Sequence, residues 1–224
     1  MSETKPIQTS ANNICVIGTG AIGSTLAIIF SQRSPTFFIY SRSHTPQASF
    51  PTKQLTGGLN LVAKPNNLTS VNWKDIGAVP KNTDYWIAVK STDLNEVLLR
   101  LYPCLSVEAN VILLQNGIGV FFEAFDVLRK ASPILRALAF FGARKGDSED
   151  VLVSGDVKLT LASLPEDKHR ASAIQHYLEF HGIDGYTTHN IARAEWEKTF
   201  VNLVVNSLAT LVRKKNGCIL ESPI

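Results

Sequence analysis

The chain of 224 residues is long enough for one full domain with an appendage, and 45% of it is hydrophobic, enough to build a sizeable core. Its 22 Lys and Arg against 19 Asp and Glu leave +3, too mild to argue for nucleic acid, and no basic stripe with interleaved aromatics appears. The cysteines, Cys15, Cys104 and Cys218, lie far apart with no metal-ligand or redox-pair spacing, so no metal site is expected and a reducing, cytoplasmic setting fits.

Residues 1–12 are polar and carry no apolar signal-peptide core, so they read as a loose tail. No apolar run approaches the length of a membrane span. Asn13-Ile14-Cys15-Val16-Ile17 is a short apolar run suited to a buried parallel strand, with Cys15 as inert core. It enters Gly18-Thr19-Gly20-Ala21-Ile22-Gly23 and then a helical pattern, which is G-x-G-x-x-G in the strand–turn–helix setting of a dinucleotide site. Gly18 allows the tight turn, Gly20 lets backbone approach a pyrophosphate, and Gly23 lets helix pack close to sheet. The free N–H groups of the helix start then meet the phosphates.

Thr36-Phe37-Phe38-Ile39-Tyr40 reads as the second strand, and Ser41-Arg42-Ser43 follows it. An NAD site usually places a carboxylate there for the ribose 2′-hydroxyl. Arg42 instead suits a 2′-phosphate, so the expected cofactor is NADP(H). Asp84 to Val89 is a further buried-type strand ending at Lys90, and Val111 to Leu114 is another, ending at Gln115-Asn116-Gly117. Ligands of open parallel sheets sit beyond the carboxyl ends of the strands, where Lys90 and Asn116 fall. Taken singly, Lys90 also reads as a surface lysine and Asn116-Gly117 as turn chemistry.

Strands are expected near 13–17, 36–40, 59–63, 84–89, 110–115, 134–142 and 151–162, and helices near 21–32, 92–101, 118–130, 167–181 and 191–213. This alternation predicts an α/β, Rossmann-type, mostly parallel sheet with helices on both faces. Residues 134–141 and 151–162 read as an antiparallel hairpin at its far edge. The five histidines fall in polar stretches and are expected at the surface. Asn190 is a good N-cap for the last long helix, so residues 13–188 are expected to form the cofactor domain and 189–224 an incomplete helical domain.

On that last helix, Lys198, Asn202 and Asn206 are spaced i, i+4, i+8, each step drifting by about 40°. They form one polar row on a helix otherwise apolar nearly all round, the pattern of a buried helix. Buried Lys and Asn need partners, and a polar ligand would serve; water or another protein element would also satisfy the row.

The glycine loop, Arg42, Val89-Lys90, Gln115-Asn116-Gly117, Trp196-Glu197-Lys198 with Asn202 and Asn206, and the later Asn216-Gly217 together resemble the ketopantoate reductases (2-dehydropantoate 2-reductases), in order and rough spacing from Ile14 to Leu220. The resemblance implies that Gly18 to Gly23 and Arg42 hold NADPH, and that Lys90 and Asn116 lie near nicotinamide and substrate. It implies Lys198 as the general acid of ketone reduction, with Asn202 and Asn206 holding the substrate's hydroxyl and carboxylate end. The reaction implied is reduction of 2-dehydropantoate to pantoate, on the route to pantothenate and coenzyme A. A non-catalytic NADP(H)-binding shortened paralogue and a reductase of a related Rossmann family stay open beside it. Family members continue through a full helical second domain, whereas this chain carries its first long helix and ends at Ile224. One sheet domain covers only part of such a helix. Phe200, Leu203, Val204, Leu208 and Leu211 are therefore expected to lie bare, with self-association through residues 191–213 or poor solubility, and weak or absent catalysis in the monomer.

Overall fold

The structure is a computed structural model that describes residues 13–39, 52–128, 131–146 and 150–213. Strands β1 (Asn13–Ile17), β2 (Thr36–Ile39), β3 (Gln54–Gly57), β4 (Leu61–Val62), β5 (Leu68–Ser70), β6 (Thr83–Ile87) and β7 (Asn110–Leu113) are followed by β8 (Ile134–Ala139), β9 (Gly142–Lys145), β10 (Asp150–Ser154), β11 (Lys158–Ala162) and β12 (Asp184–Thr188). The helices are α1 (Ala21–Ser31), α2 (Ser91–Leu101), α3 (Val120–Leu128), α4 (Lys168–Phe180) and α5 (Ile191–Val212). Eight strands form one sheet in the order β12-β11-β8-β7-β6-β1-β2-β5. From β8 to β5 the neighbours are parallel, and β11 turns antiparallel against β8. The fold is the expected Rossmann-type α/β sheet with helices on both faces.

The alternation of side chains across the pleat divides the core in two. Cys15, Ile17, Tyr85, Ile87, Val111 and Leu113 face α2 and α3 on one side. Ile14, Val16, Trp86, Ile112 and Leu135 face α1 and α4 on the other. Burial pushes the Cys15 thiol well above the ordinary cysteine range, which suits an inert core position.

A second sheet, β4-β3-β10-β9, corrects part of the sequence reading. The expected strand near 59–63 is the short β4, paired with β3 rather than with the main sheet. The expected hairpin is antiparallel as read, through β8 and β11, but the chain between them departs to form β9 and β10. β10 runs parallel to β3 instead of extending β11. The far edge is β12, parallel to β11. The small sheet explains α1. This helix is largely apolar, and every residue from Gly23 to Ser31 is buried, because Leu55, Val151 and Val153 of the small sheet join the core that contains it. Each of Leu26, Ile28 and Phe30 then contributes about 1.5–3 kcal/mol by leaving water.

His181, expected at the surface, is 8% exposed at the end of α4. Its ring stands edge-on to Phe30 and Phe180 and near Tyr177, and its Nε2 lies 3.2 Å from the Ser34 hydroxyl. Burial among these rings, aided by the nearby Arg33 charge, lowers its pKa to about 4. The unfolded chain therefore binds a proton near pH 6.5 that the folded chain refuses until about pH 4. This contribution to stability is present above pH 6.5 and is lost as pH falls toward 4. Urea midpoints measured across that range should fall less steeply for His181→Phe than for the wild type. Parallel pH curves would remove His181 as the cause.

Candidate active site

The glycine turn has the geometry its sequence requires. The Gly18 N–H donates to Ile39 O at 2.9 Å, and the Ala88 N–H to Ile17 O at 2.8 Å, so the turn is tied to both neighbouring strands. Gly18 has φ +102°, and a Cβ there would meet the Ala88 carbonyl carbon at 2.9 Å. A Cβ on Gly23 would lie 1.9 Å from Gly18 O, so no larger residue fits without moving the turn. Gly20 differs: among the described residues nothing lies within 4 Å of where its Cβ would be. It occupies the N-cap of α1 with no side-chain cap and no acidic residue in the first turn. Among the described residues the helix start thus keeps free N–H groups and its positive dipole end beside open space, as an anionic pyrophosphate requires. Thr19, Ala21 and Ile22 complete the turn, half-buried. Arg42, expected to bind the 2′-phosphate, lies outside the described residues.

The strand order carries three further expected residues to the same edge. Lys90 follows β6 and sits exposed at the N-cap of α2. Asn116 follows β7, exposed, in a loop bent by Gly117 (φ +122°) and Gly119 (φ +83°). Lys198 belongs to α5, and its Nζ stands 4.4 Å from the centre of the Phe140 ring, just past the end of β8. Because β8, β7, β6 and β1 are adjacent and parallel, Lys198, Asn116, Lys90 and Gly18 to Gly23 line the carboxyl edge of four neighbouring strands. Lys198 is half-buried, and that burial lowers its pKa from the ordinary lysine value. Asn202 and Asn206 continue the row along α5, half-buried and exposed respectively.

Helix α5 is capped as expected, with the Arg193 N–H donating to Asn190 Oδ1 at 3.0 Å. It is not the buried helix its composition suggests. Its first turn packs Ile191 and Ala194 on the sheet, but Phe200 is 64% exposed and Leu211 79%, with Leu203, Val204 and Leu208 also exposed. The five apolar positions expected to lie bare do so. Beside the first turns of α5, a groove of about 300 Å³ is lined by Phe140, Thr160, Thr188, Asn190, Arg193 and Glu197 among others. Among the described residues, none of the expected binding residues lines it.

Sequence reading missed the residues that dock α5. Arg136 in β8 is 0% exposed and Glu195 is 1% exposed, and their Nε and Oε1 atoms lie 2.7 Å apart. The Arg136 fork also donates to Leu113 O at 2.8 Å and Gln115 O at 2.7 Å. Glu195 Oε2 accepts the Gly119 N–H at 2.7 Å, and Oε1 accepts the Phe121 N–H at 3.4 Å. The Gln115 amide in turn donates to Ile87 O and Val89 O, immediately before Lys90. The available signal was an arginine between Ile134 and Leu138 on the inward face of an apolar strand.

A family model described as "Ketopantoate reductase PanE/ApbA" matches residues 14–166, more than half of the chain. The chain belongs to the ketopantoate reductase PanE/ApbA family. A 2-dehydropantoate 2-reductase of Vibrio cholerae is 25% identical over 209 residues, covering 93% of this chain and 66% of the relative. The structure of 2-dehydropantoate 2-reductase from Geobacter metallireducens GS-15 matches with a TM-score of 0.74 and 24% identity, over 90% of this chain and 66% of that one. A dimeric ketopantoate reductase of Staphylococcus aureus matches with a TM-score of 0.62 and 23% identity, over 94% of this chain and 72% of that one. These structures support the fold. The chain spans about two thirds of the length of its curated Vibrio cholerae relative. Among the described residues, no helix is long and apolar enough to cross a membrane.

Proposed function

We propose that this chain binds NADPH and serves the reduction of a small 2-oxo acid, with 2-dehydropantoate as the substrate and pantothenate and coenzyme A synthesis as its setting. The carrying observation is a half-buried lysine with a lowered pKa on the same sheet edge as an uncapped glycine turn. The residues present fit a dinucleotide: Gly20 leaves space, and Gly18 and Gly23 admit no side chain. Bound NADPH supplies the hydride. Lys198 stabilises the developing negative charge on the ketone oxygen and gives it a proton. Asn116, Asn202 and Asn206 hold the substrate, and Lys90 lies toward the cofactor. In this reading residues 13–188 are the cofactor domain and residues 189–224 begin the substrate domain. The family match and the 2-dehydropantoate 2-reductase named among the relatives support it. NADPH oxidation on adding 2-dehydropantoate, run beside a direct NADPH titration, tests it. Binding without oxidation would favour the reading as a non-catalytic NADP(H)-binding paralogue.

Cofactor choice rests on Arg42, which follows the second strand without a neighbouring carboxylate. NADPH should bind more tightly than NADH, and Arg42→Ala should remove about 1.5–3 kcal/mol of that preference, the worth of a hydrogen bond to a charged group. Equal affinities of the wild type for both cofactors would defeat the assignment.

The bare face of α5 invites a second copy of the chain. Thr199 to Val212 contain no charged residue, so two such faces meet without like-charge repulsion. Light scattering over a dilution series should give a mass that falls toward the monomer, and Leu203→Lys should lower it at fixed concentration. A concentration-independent monomer would count against association through this helix.

A further inference from the structure

We propose that the buried Arg136–Glu195 pair is the positioning device of the site, setting the height and angle of Lys198 against Asn116 and Lys90. This rests on the reading of Lys198 as the general acid. Glu195 precedes Lys198 by three residues, just under one helical turn, so whatever fixes Glu195 fixes the base of the Lys198 side chain. Glu195 is held from two directions. Its Oε2 takes the Gly119 N–H at 2.7 Å, at the end of the loop that carries Asn116. Its Oε1 takes Arg136 Nε at 2.7 Å.

Arg136 passes the constraint across the sheet. Its two terminal nitrogens donate to Leu113 O and Gln115 O, the backbone on which the Asn116 loop begins. The Gln115 side chain then spans to β6, donating to Ile87 O at 2.9 Å and Val89 O at 3.1 Å. One hydrogen-bonded chain therefore runs from α5 through β8 and β7 to the residue before Lys90. The planar guanidinium fixes angles as well as distances, which a lysine at 136 would not do. Neither Arg136 nor Glu195 is accessible enough to touch a substrate, so both are positioning residues rather than catalytic ones.

Other supports are slight in comparison. Beyond its first turn, α5 leaves most of its large apolar residues in solvent. Among the described residues its apolar packing in the sheet's core is through Ile191 and Ala194, with Lys198 over the Phe140 ring. Such contacts are non-directional and do not set the rotation of the helix about its own axis. The ion pair does, because five donors must meet one carboxylate and two carbonyls at once.

The test uses charge-conserving variants, so that electrostatics stay constant while reach changes. Glu195→Asp shortens the carboxylate by one methylene and cannot span both Gly119 and Arg136. Arg136→Lys keeps the charge and loses the fork. NADPH titration should give unchanged affinity for both, since the glycine turn is built on β1 and α1. With 2-dehydropantoate and NADPH, kcat should fall on the order of 10²-fold, the cost of a displacement of about 1 Å, while KM for NADPH is unchanged. Independently of turnover, competitive acetylation of Lys198 followed by mass spectrometry over a pH series reads its surroundings. The midpoint for Lys198 should move upward, toward that of an exposed lysine, in both variants. A folded Glu195→Asp or Arg136→Lys protein with wild-type kcat, or with an unmoved labelling midpoint, would overturn the proposal. Should Glu195→Asp fail to fold, Arg136→Lys decides. Retained turnover in Lys198→Ala would instead sink the general-acid reading, leaving the labelling result to judge the positioning of the side chain.

Discussion

Glu195→Gln should lower the folding stability of this chain by about 3–5 kcal/mol, the cost of leaving a buried partner charge uncompensated. Arg136 is fully buried, and burial alone drives its guanidinium toward the neutral form, opposed by the Glu195 carboxylate. With glutamine at 195 that opposition ends, while the guanidinium still lacks water. The loss is a large share of the roughly 5–15 kcal/mol that holds a domain of ordinary stability together. A double variant, Arg136→Met with Glu195→Gln, should recover part of it, because the uncompensated charge is gone. Recovery stops short of the wild type: Leu113 O and Gln115 O lose their donors. Urea unfolding of the four proteins gives the coupling energy, provided the slopes agree. A Glu195→Gln protein within 1 kcal/mol of wild type, on the scale of an exposed ion pair, would mean that the pair does little for stability.

The same network marks the limit of what the chain discloses as a string of residues. Local signals carried far: the strand–glycine–helix start, Lys90 and Gln115-Asn116-Gly117 at strand ends, and Asn190 as a cap were legible because each depends on neighbours within a few residues. Arg136 and Glu195 are 59 residues apart. Their meaning appears only when β8 and α5 meet, and neither periodicity nor propensity carries such a pairing. The small sheet was missed for a related reason. β3 and β10 pair across a long separation, and β4 is two residues long, below the length at which alternation is readable. His181 was misjudged because Glu179 and Gly182 beside it read as surface, whereas the ring turns inward to Phe30. The two largely apolar helices make the sharpest contrast. Composition alone suits burial for α1 as well as for α5, the one helix the sequence reading took as buried. α1 is buried, because a second sheet covers the face that the main sheet leaves open. For α5, the described residues cover little beyond the first turn, and composition cannot say what stands opposite a helix.

Where the chain turns over 2-dehydropantoate, Lys198→Ala should lower kcat by roughly 10²–10⁴-fold, the usual worth of a positioned general acid, while NADPH affinity stays close to wild type. The acid must carry its proton to act, so the wild-type rate should fall as pH rises through the Lys198 pKa. Burial beside Phe140 lowers that pKa, so the falling limb should begin at lower pH than an exposed lysine would give. Lys198→Ala should lose the limb together with the rate. Lys198→Arg separates the two roles of the side chain. A guanidinium keeps the cation over the developing oxyanion but does not surrender its proton near neutrality. Recovery of most of the rate by arginine would assign Lys198 to charge stabilisation alone. Recovery of little, with NADPH binding intact, is the expected result and assigns it to proton transfer. Near-wild-type turnover in the alanine variant would remove Lys198 from the chemistry, and loss of NADPH binding in that variant would point to a folding defect instead.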